Sequence, residues 1–154
     1  MRRLAGILLA IALVLSVSAA LAQRVECPVG GFSVKLPDHF WEVESDPFMD
    51  PELCFNWSGN KLTVQAYVSY QGEVAGSDLF EVLTGNETEY GAVTVNGMYM
   101  LYTRIEEYGQ VRISYTWMDR GNSVSMEFTY SEDEPSVENT VNSIINSITF
   151  DAGH

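Results

Sequence analysis

The sequence predicts an α+β fold: an antiparallel sheet of about six or seven strands, with a C-terminal helix packed on one face and a shorter helix elsewhere. Three observations support this fold class. Apolar and polar residues alternate along several runs, turn signals separate these runs, and a helical pattern of apolar residues closes the chain. Runs that follow one another through tight turns form an antiparallel meander.

Three early strands are predicted from alternation. They cover residues 31–36, 53–57 and 61–70. Pro37 ends the first run, an irregular loop with two prolines at 45–52 follows, and a turn at 58–60 joins the other two strands. The domain therefore begins with β-structure.

A short helix is predicted at residues 77–83. Ser77 is a suitable N-cap, and Asp78 and Glu81 lie near the positive end of the helix dipole. Gly85 follows the last turn and is typical of a helix end. This segment is the shorter helix of the predicted fold.

Four long strands are predicted after this helix. They cover residues 89–95, 98–107, 111–117 and 124–130. Asn96-Gly97 between the first two is the strongest short signal for a two-residue hairpin turn. Gly109 and the segment 120–122 mark the next two turns, so these strands are expected to pair in sequence order.

The last predicted element is an amphipathic helix. Its apolar residues recur at helical intervals and form one stripe. They are Val137, Val141, Ile144, Ile145 and Ile148. The stripe predicts that this helix covers one face of the sheet.

The chain opens with the pattern of a secretory signal peptide. Arg2 and Arg3 precede a charge-free apolar run, which ends in a small-x-small triplet at 20–22. We therefore expect Met1–Ala22 to be cleaved on export to the periplasm or the extracellular space. The alternative is an N-terminal membrane anchor, because about 20 apolar residues can span a bilayer.

The expected mature chain is one small acidic domain. Loss of the first 22 of 154 residues leaves 132, which suit a single domain. We divide it into an N-terminal segment at 23–30, one α+β domain at 31–150 and a C-terminal tail at 151–154. The full chain has 8 basic and 21 acidic residues, and its net charge of −13 becomes −15 without Arg2 and Arg3. Neither nucleic acid nor an anionic membrane surface is expected as a partner, because both are bound through clustered Lys and Arg.

Cys27 and Cys54 are the only two cysteines. An even number of cysteines in an exported protein most often forms disulfides, so we predict a bond between these two. On the chain-entropy account, this bond would stabilise the fold by about 3–4 kcal/mol. A metal or redox pair is the alternative, but the CxxC spacing and neighbouring histidines typical of such sites are missing.

Two short motifs lie near the ends of the predicted domain, residues 31–37 with Phe40-Trp41 and residues 144–148. The first resembles the opening strand and turn of PsbP-like domains, and the second resembles the end of their last helix. The intervening strands keep the order of that fold, so the resemblance spans most of 31–150. It implies a central antiparallel sheet between helices, an α/β/α sandwich. It implies no reaction, because these proteins, which include exported bacterial ones, mostly act by binding partners.

No catalytic motif occurs in the sequence. His39 is the sole credible general base, and it lies in a turn where most histidines are solvated. We therefore predict a non-catalytic protein without a cofactor, which binds a protein or another component of the cell envelope. A secreted hydrolase that acts through two carboxylates is the alternative, although 21 acidic residues make chance pairs common.

A third interpretation is a weak divalent-cation site. Asp46, Asp50 and Glu52 gather three carboxylates in one loop, and calcium takes oxygen ligands from loops of this kind. The ligand spacing and central glycine of an EF-hand are absent. A solvated acidic loop explains the same residues.

A partner-binding face is predicted on the sheet. Tyr67, Met98, Met100 and Tyr102 are expected to share the face that the C-terminal helix leaves uncovered. Exposed apolar patches of this kind mark interaction sites. The sequence therefore points to binding through these four side chains.

Overall fold

The computed structural model describes residues 21–44, 53–69 and 85–151. These ranges contain ten strands and one helix. The strands are β1 (Leu21–Cys27), β2 (Phe32–Pro37), β3 (Trp41–Glu42), β4 (Leu53–Gly59), β5 (Leu62–Ser69), β6 (Glu89–Val95), β7 (Met98–Glu107), β8 (Gln110–Asp119), β9 (Asn122–Ser131) and β10 (Thr149–Phe150). Helix α1 spans Val137–Asn146. The predicted strands from 89 onwards and the C-terminal helix are confirmed.

The strands form two sheets. The larger has seven strands in the order β3-β4-β5-β9-β8-β7-β6, with every neighbouring pair antiparallel. The smaller has the order β1-β2-β10. The predicted sheet of about six or seven antiparallel strands is therefore confirmed. The second sheet was not predicted, because the segment of β1 was assigned to the signal peptide and the N-terminal segment.

Two-residue turns join most strands of the large sheet. In each, the first residue is a non-glycine with positive φ, followed by a second residue with positive φ. The turns are Asn60-Lys61, Asn96-Gly97, Tyr108-Gly109 and Arg120-Gly121. Two successive positive φ values define the turn whose twist matches that of paired strands, and such a turn sets the register of its hairpin. The prediction at Asn96-Gly97 is confirmed, whereas the turn expected at 58–60 lies slightly further along the chain.

The core lies between the large sheet and a layer formed by α1 and the small sheet. Val141 and Ile144 of α1 are buried, and so are Phe32 of β2 and Trp117 of β8. The rings of Phe32 and Trp117 lie 5.1 Å apart in an edge-to-face arrangement. One face of the large sheet is therefore covered by both α1 and the small sheet.

Helix α1 is fixed at its C-terminal end by two side chains. The Asn96 amide donates to the carbonyl of Asn146 (3.2 Å), the last residue of the helix, and to that of Ile148 (2.7 Å), which lies just beyond it. The Ser147 hydroxyl accepts from the Lys35 backbone amide of β2 at 2.9 Å. The bond to Asn146 satisfies a carbonyl that a helix end leaves unpaired, and the bond from Lys35 joins this end of the helix to β2.

Several predicted elements lie outside the described residues. These are the short helix at 77–83, the acidic loop at 45–52 and nearly all of the apolar N-terminal run. In the described ranges, no helix is long and apolar enough to cross a membrane.

Candidate functional site

A cleft of about 250 Å³ lies between the N-terminal half of α1 and strands β6, β7 and β8. Its apolar lining comes from one residue of each of three elements, Val93, Ile113 and Val141. Its polar lining consists of Tyr102, Arg104, Tyr115, Glu138 and Asn142. The cleft therefore combines apolar walls with a cluster of tyrosines and charges.

Strand register builds the sheet side of this cleft. Tyr102 of β7 lies between Gly91 of β6 and Tyr115 of β8. Because alternate residues of a strand share a face, Arg104 lies on the same face as Tyr102, and it pairs in register with Ile113 of β8. The hairpin turns set these pairs, so the sheet side of the site follows from local sequence.

Gly91 leaves the edge of the cleft open. A Cβ atom at this position would meet no atom within 4 Å. Gly91 faces the same side of the sheet as its neighbour Tyr102. Among the described residues, none fills the space at Gly91 on this face of β6, which is the edge strand of the sheet.

Arg104 connects the sheet to the helix. Its Nη1 donates to Oε1 of Glu138 at 2.6 Å, and its Nε donates to Oε1 of Glu106 at 2.7 Å. The Tyr130 hydroxyl donates to the same Glu138 oxygen at 2.7 Å. Charge-assisted hydrogen bonds of this length are among the stronger ones in proteins. They hold the first turn of α1 against β7 and β9.

These hydrogen bonds shift the pKa values of the charged groups. Bonds from Tyr130 and Arg104 lower the pKa of Glu138 below its ordinary value of 4.5, although burial acts in the opposite direction. Burial lowers the pKa of Arg104, but its bonds to Glu138 and Glu106 outweigh this effect and raise it. Both groups therefore remain ionised around neutral pH.

The tyrosines of the site are held in their neutral form. Burial raises the pKa of Tyr115 to about 12. Burial and then the bond to Glu138 raise the pKa of Tyr130, and burial followed by the charge of Glu89 raises that of Tyr102. Near neutral pH these phenols are therefore protonated and can donate hydrogen bonds beside the ionised Arg104 and Glu138.

A second polar cluster lies on the opposite face of the sheet. Burial raises the pKa of Glu127, an effect that Arg112 and a hydrogen bond with Ser114 reduce but do not cancel. Burial also raises the pKa of Tyr67, and the charge of Glu127 adds to this. Next to them, the hydroxyls of Thr116 and Ser125 are buried and lie 2.9 Å apart.

The prediction that Tyr67, Met98, Met100 and Tyr102 share one uncovered face is wrong. Met98, Met100 and Tyr102 lie on the face that α1 and the small sheet cover, and Met100 is 0% exposed. Tyr67 lies on the other face, where its neighbour in register is Ser125. Strand register separates them. Tyr102 pairs with Tyr115. Ser125, the partner of Tyr67, pairs with Thr116, which pairs in turn with Leu101, so Tyr67 shares its face with Leu101 and not with Tyr102. Of the four, only Tyr102 lines the cleft.

Other predicted site residues lie wholly or partly outside the described ranges. This is so for the acidic loop residues Asp46, Asp50 and Glu52. No group of three metal-ligating side chains occurs in residues 21–44, 53–69 and 85–151. Cys27 is buried. The side chain of Cys54 is not among those described, so the bond between these two cysteines stays a prediction.

Solved structures share this fold. The solution structure of cyanobacterial PsbP (CyanoP) from Synechocystis sp. PCC 6803 matches with a TM-score of 0.65 at 11% identity, over 85% of this chain and 93% of that protein. The Saccharomyces cerevisiae Ran-binding protein Mog1p matches with a TM-score of 0.54 at 10% identity, over 84% and 96%.

A crystal structure from Bacteroides thetaiotaomicron VPI-5482 matches with a TM-score of 0.58 at 14% identity. The match covers 86% of this chain but only 50% of that one, so this chain corresponds to half of the Bacteroides structure. Neither a protein-family model nor a curated protein matches the sequence. The chain therefore has the PsbP-like fold, which confirms the resemblance at the level of the fold.

Sequence reasoning missed Arg104 and Glu138, which are central to the cleft. They lie 34 positions apart on a strand and a helix, and their contact depends on how α1 crosses the sheet. One signal was available. Arg104 is a charged residue in a strand position in register with the apolar Ile113, and a charge on an apolar face needs a partner.

Proposed function

We propose that this chain is an exported, non-catalytic binding module that engages a protein or another component of the cell envelope through the cleft between α1 and β6–β8. One observation carries the proposal. The cleft exposes part of Tyr102 and Asn142 beside charges that are fixed in place by hydrogen bonds to one another. Preorganised polar groups on apolar walls are characteristic of binding sites.

The fold supports a binding role. Mog1p, which has the same fold, is a Ran-binding protein, so this arrangement of sheet and helices can present a surface to a protein partner. The match carries no information about which partner this chain has, because fold alone does not determine function.

Export is supported by the N-terminal pattern and by strand β1. Arg2 and Arg3, the apolar run and the triplet at 20–22 suit a signal peptide. The register of β1 with β2 is regular from Gln23 to Cys27 and shifts only before Gln23. Cleavage after Ala22 would therefore keep the regular part of this strand pair.

Export is tested by N-terminal sequencing of the full-length protein expressed with its leader. We expect a processed chain that begins at Gln23, recovered outside the cytoplasm. An uncleaved chain recovered in the membrane fraction would instead support the N-terminal anchor.

The binding role is tested by capture of partners from an envelope extract with residues 23–154 as bait. The Gly91→Val variant places a side chain in the open edge of the cleft, so we expect it to lose the captured partner. Ala92→Val is the matched control, because Ala92 is exposed on the opposite face of the same strand. Capture that is equal for all three proteins would show that the cleft is not the binding site.

A further inference from the structure

We infer that the cleft takes a single cationic side chain, a lysine or an arginine, which a protein partner presents to it. This inference rests on the proposed function and specifies the chemistry of the partner. It follows from the size of the cleft, the balance of charge around it and the composition of its walls.

The size of the cleft favours one side chain over a whole small molecule. Its volume of about 250 Å³ lies below the range of about 300–1,000 Å³ that is typical of small-molecule sites. An extended side chain that enters past Gly91 needs only a narrow opening. Gly91, the neighbour of Tyr102 in register, leaves open space on the same face of the edge strand β6.

The charge around the cleft favours a cation. Three carboxylates act on this region: Glu138 and Glu106 bond Arg104, and Glu89 acts on the Tyr102 phenol. Arg104 is the one cationic side chain in the cleft lining, and its guanidinium is already hydrogen-bonded to two of these carboxylates. Within the lining, Glu138 and Arg104 balance each other, so the excess negative charge comes from Glu106 and Glu89 outside the lining. The net charge of −13 on the whole chain acts in the same direction.

The walls of the cleft suit the two parts of a lysine or arginine side chain. The rings of Tyr102 and Tyr115 lie 5.5 Å apart at 61°, and aromatic rings attract a cation near their faces. Val93, Ile113 and Val141 offer apolar contacts to the methylene stem. A neutral apolar side chain would fit these walls but would gain no attraction from the ring faces or from the surrounding carboxylates.

The inference is tested by NMR titration of 15N-labelled protein with short glycine–serine peptides. One peptide carries a central lysine, and a second carries norleucine, which keeps the carbon chain and lacks the charge. We expect the lysine peptide to shift the amide signals of Tyr102, Arg104 and Asn142, and the norleucine peptide to bind about three- to tenfold more weakly. Equal binding of the two peptides would overturn the inference, as would lysine-dependent shifts that lie elsewhere on the protein.

Two pairs of variants separate the cleft from general attraction to an acidic protein. Gly91→Val should abolish the shifts although it changes no charge, and Ala92→Val should leave them intact. Asn142→Lys places a cation at the rim of the cleft and should weaken peptide binding, whereas Ser143→Lys adds the same charge at an exposed position that does not line the cleft. Equal weakening by the two lysine variants would show a general charge effect and overturn the inference.

Failure of the preference for a cation and failure of the proposed binding role would give different experimental results. If Gly91→Val loses its captured partner but the lysine and norleucine peptides bind alike, the cleft is a binding site and its preference for a cation is wrong. If the lysine peptide binds in the cleft, the preference holds even where capture from an extract finds no partner.

Discussion

The two faces of the seven-stranded sheet are built by alternate residues of the same strands, yet they differ in chemistry. Toward α1, strand β9 presents large apolar residues such as Met126 and Phe128, both fully buried. Toward the other side, the same strand presents Ser123, Ser125 and Glu127. The covered face of β9 is therefore apolar, and its opposite face is polar.

The opposite face is nevertheless not freely exposed. Thr116, Ser123 and Ser125 are each 6% exposed, and Leu101 on the same face is 1% exposed. Thr116 and Ser125 satisfy each other through a hydrogen bond of 2.9 Å. Both faces are therefore buried near the middle of the sheet, one by apolar packing and the other with paired hydroxyls.

The largest expected difference in stability between the two faces is tested by substitution of two adjacent residues of β8. Trp117→Ala removes a fully buried ring that contacts Phe32 at 5.1 Å and Phe150 at 5.8 Å. We expect it to lower the free energy of unfolding by about 3–5 kcal/mol, because it leaves a large cavity. Thr116→Ala on the opposite face removes one hydrogen bond and should cost about 1 kcal/mol. Urea unfolding measures the free energy of unfolding of both variants. Equal decreases would contradict the distinction between an apolar core and a face with paired hydroxyls.

Local patterns predicted the elements but not the faces. Alternation and the turn at Asn96-Gly97 determine where β6 and β7 begin and end, because both act over a few neighbouring residues. The error over Tyr67 and Tyr102 arose from assigning faces strand by strand. The two-residue turn at 108–109 implies that Tyr102 pairs with Tyr115. The face of Tyr67 also depends on the pairing of β5 with β9, which no local turn sets.

Other features depend on long-range geometry. The bond between Arg104 and Glu138 requires the position of α1 over the sheet, which no local pattern contains. Strand β1 is a different case, because Val25 and Cys27 alternate with Arg24 and Glu26 as expected for a strand. The alternation was visible in the sequence, but the strand was not predicted because the region was assigned to the signal peptide and a short N-terminal segment.

Two carboxylates, one near each face of the sheet, should make contributions to the free energy of unfolding that change with pH in opposite directions. Hydrogen bonds from Tyr130 and Arg104 lower the pKa of Glu138, so its contribution to stability is present above about pH 4.5 and is lost as the pH falls through its folded-state pKa. Burial raises the pKa of Glu127, so ionisation of this group costs stability as the pH rises above about 4.5.

Substitution by glutamine tests these opposite signs. At about pH 7, Glu138→Gln should destabilise the protein by up to about 1 kcal/mol, because the residue is partly exposed. Glu127→Gln should stabilise it by less than about 1 kcal/mol. Both differences from the parent protein should shrink in acid, where the carboxylates are protonated, and unfolding curves across the acid range measure this. Effects of the same sign at neutral pH would contradict the assigned pKa directions.

The smallest expected effect lies where the covered face is incomplete. Gly91 faces the cleft without a side chain, and a Cβ there meets open space. Glycine weakens a strand by about 0.5–1 kcal/mol, so Gly91→Val should raise the free energy of unfolding by about 0.5 kcal/mol, because β6 is an edge strand. Ala92→Val on the exposed side of the same strand should change it by less, since alanine already restricts the unfolded backbone. Destabilisation by Gly91→Val alone would mean that the edge of the cleft is more tightly packed than its geometry indicates, and that this variant cannot serve as a neutral block of the site.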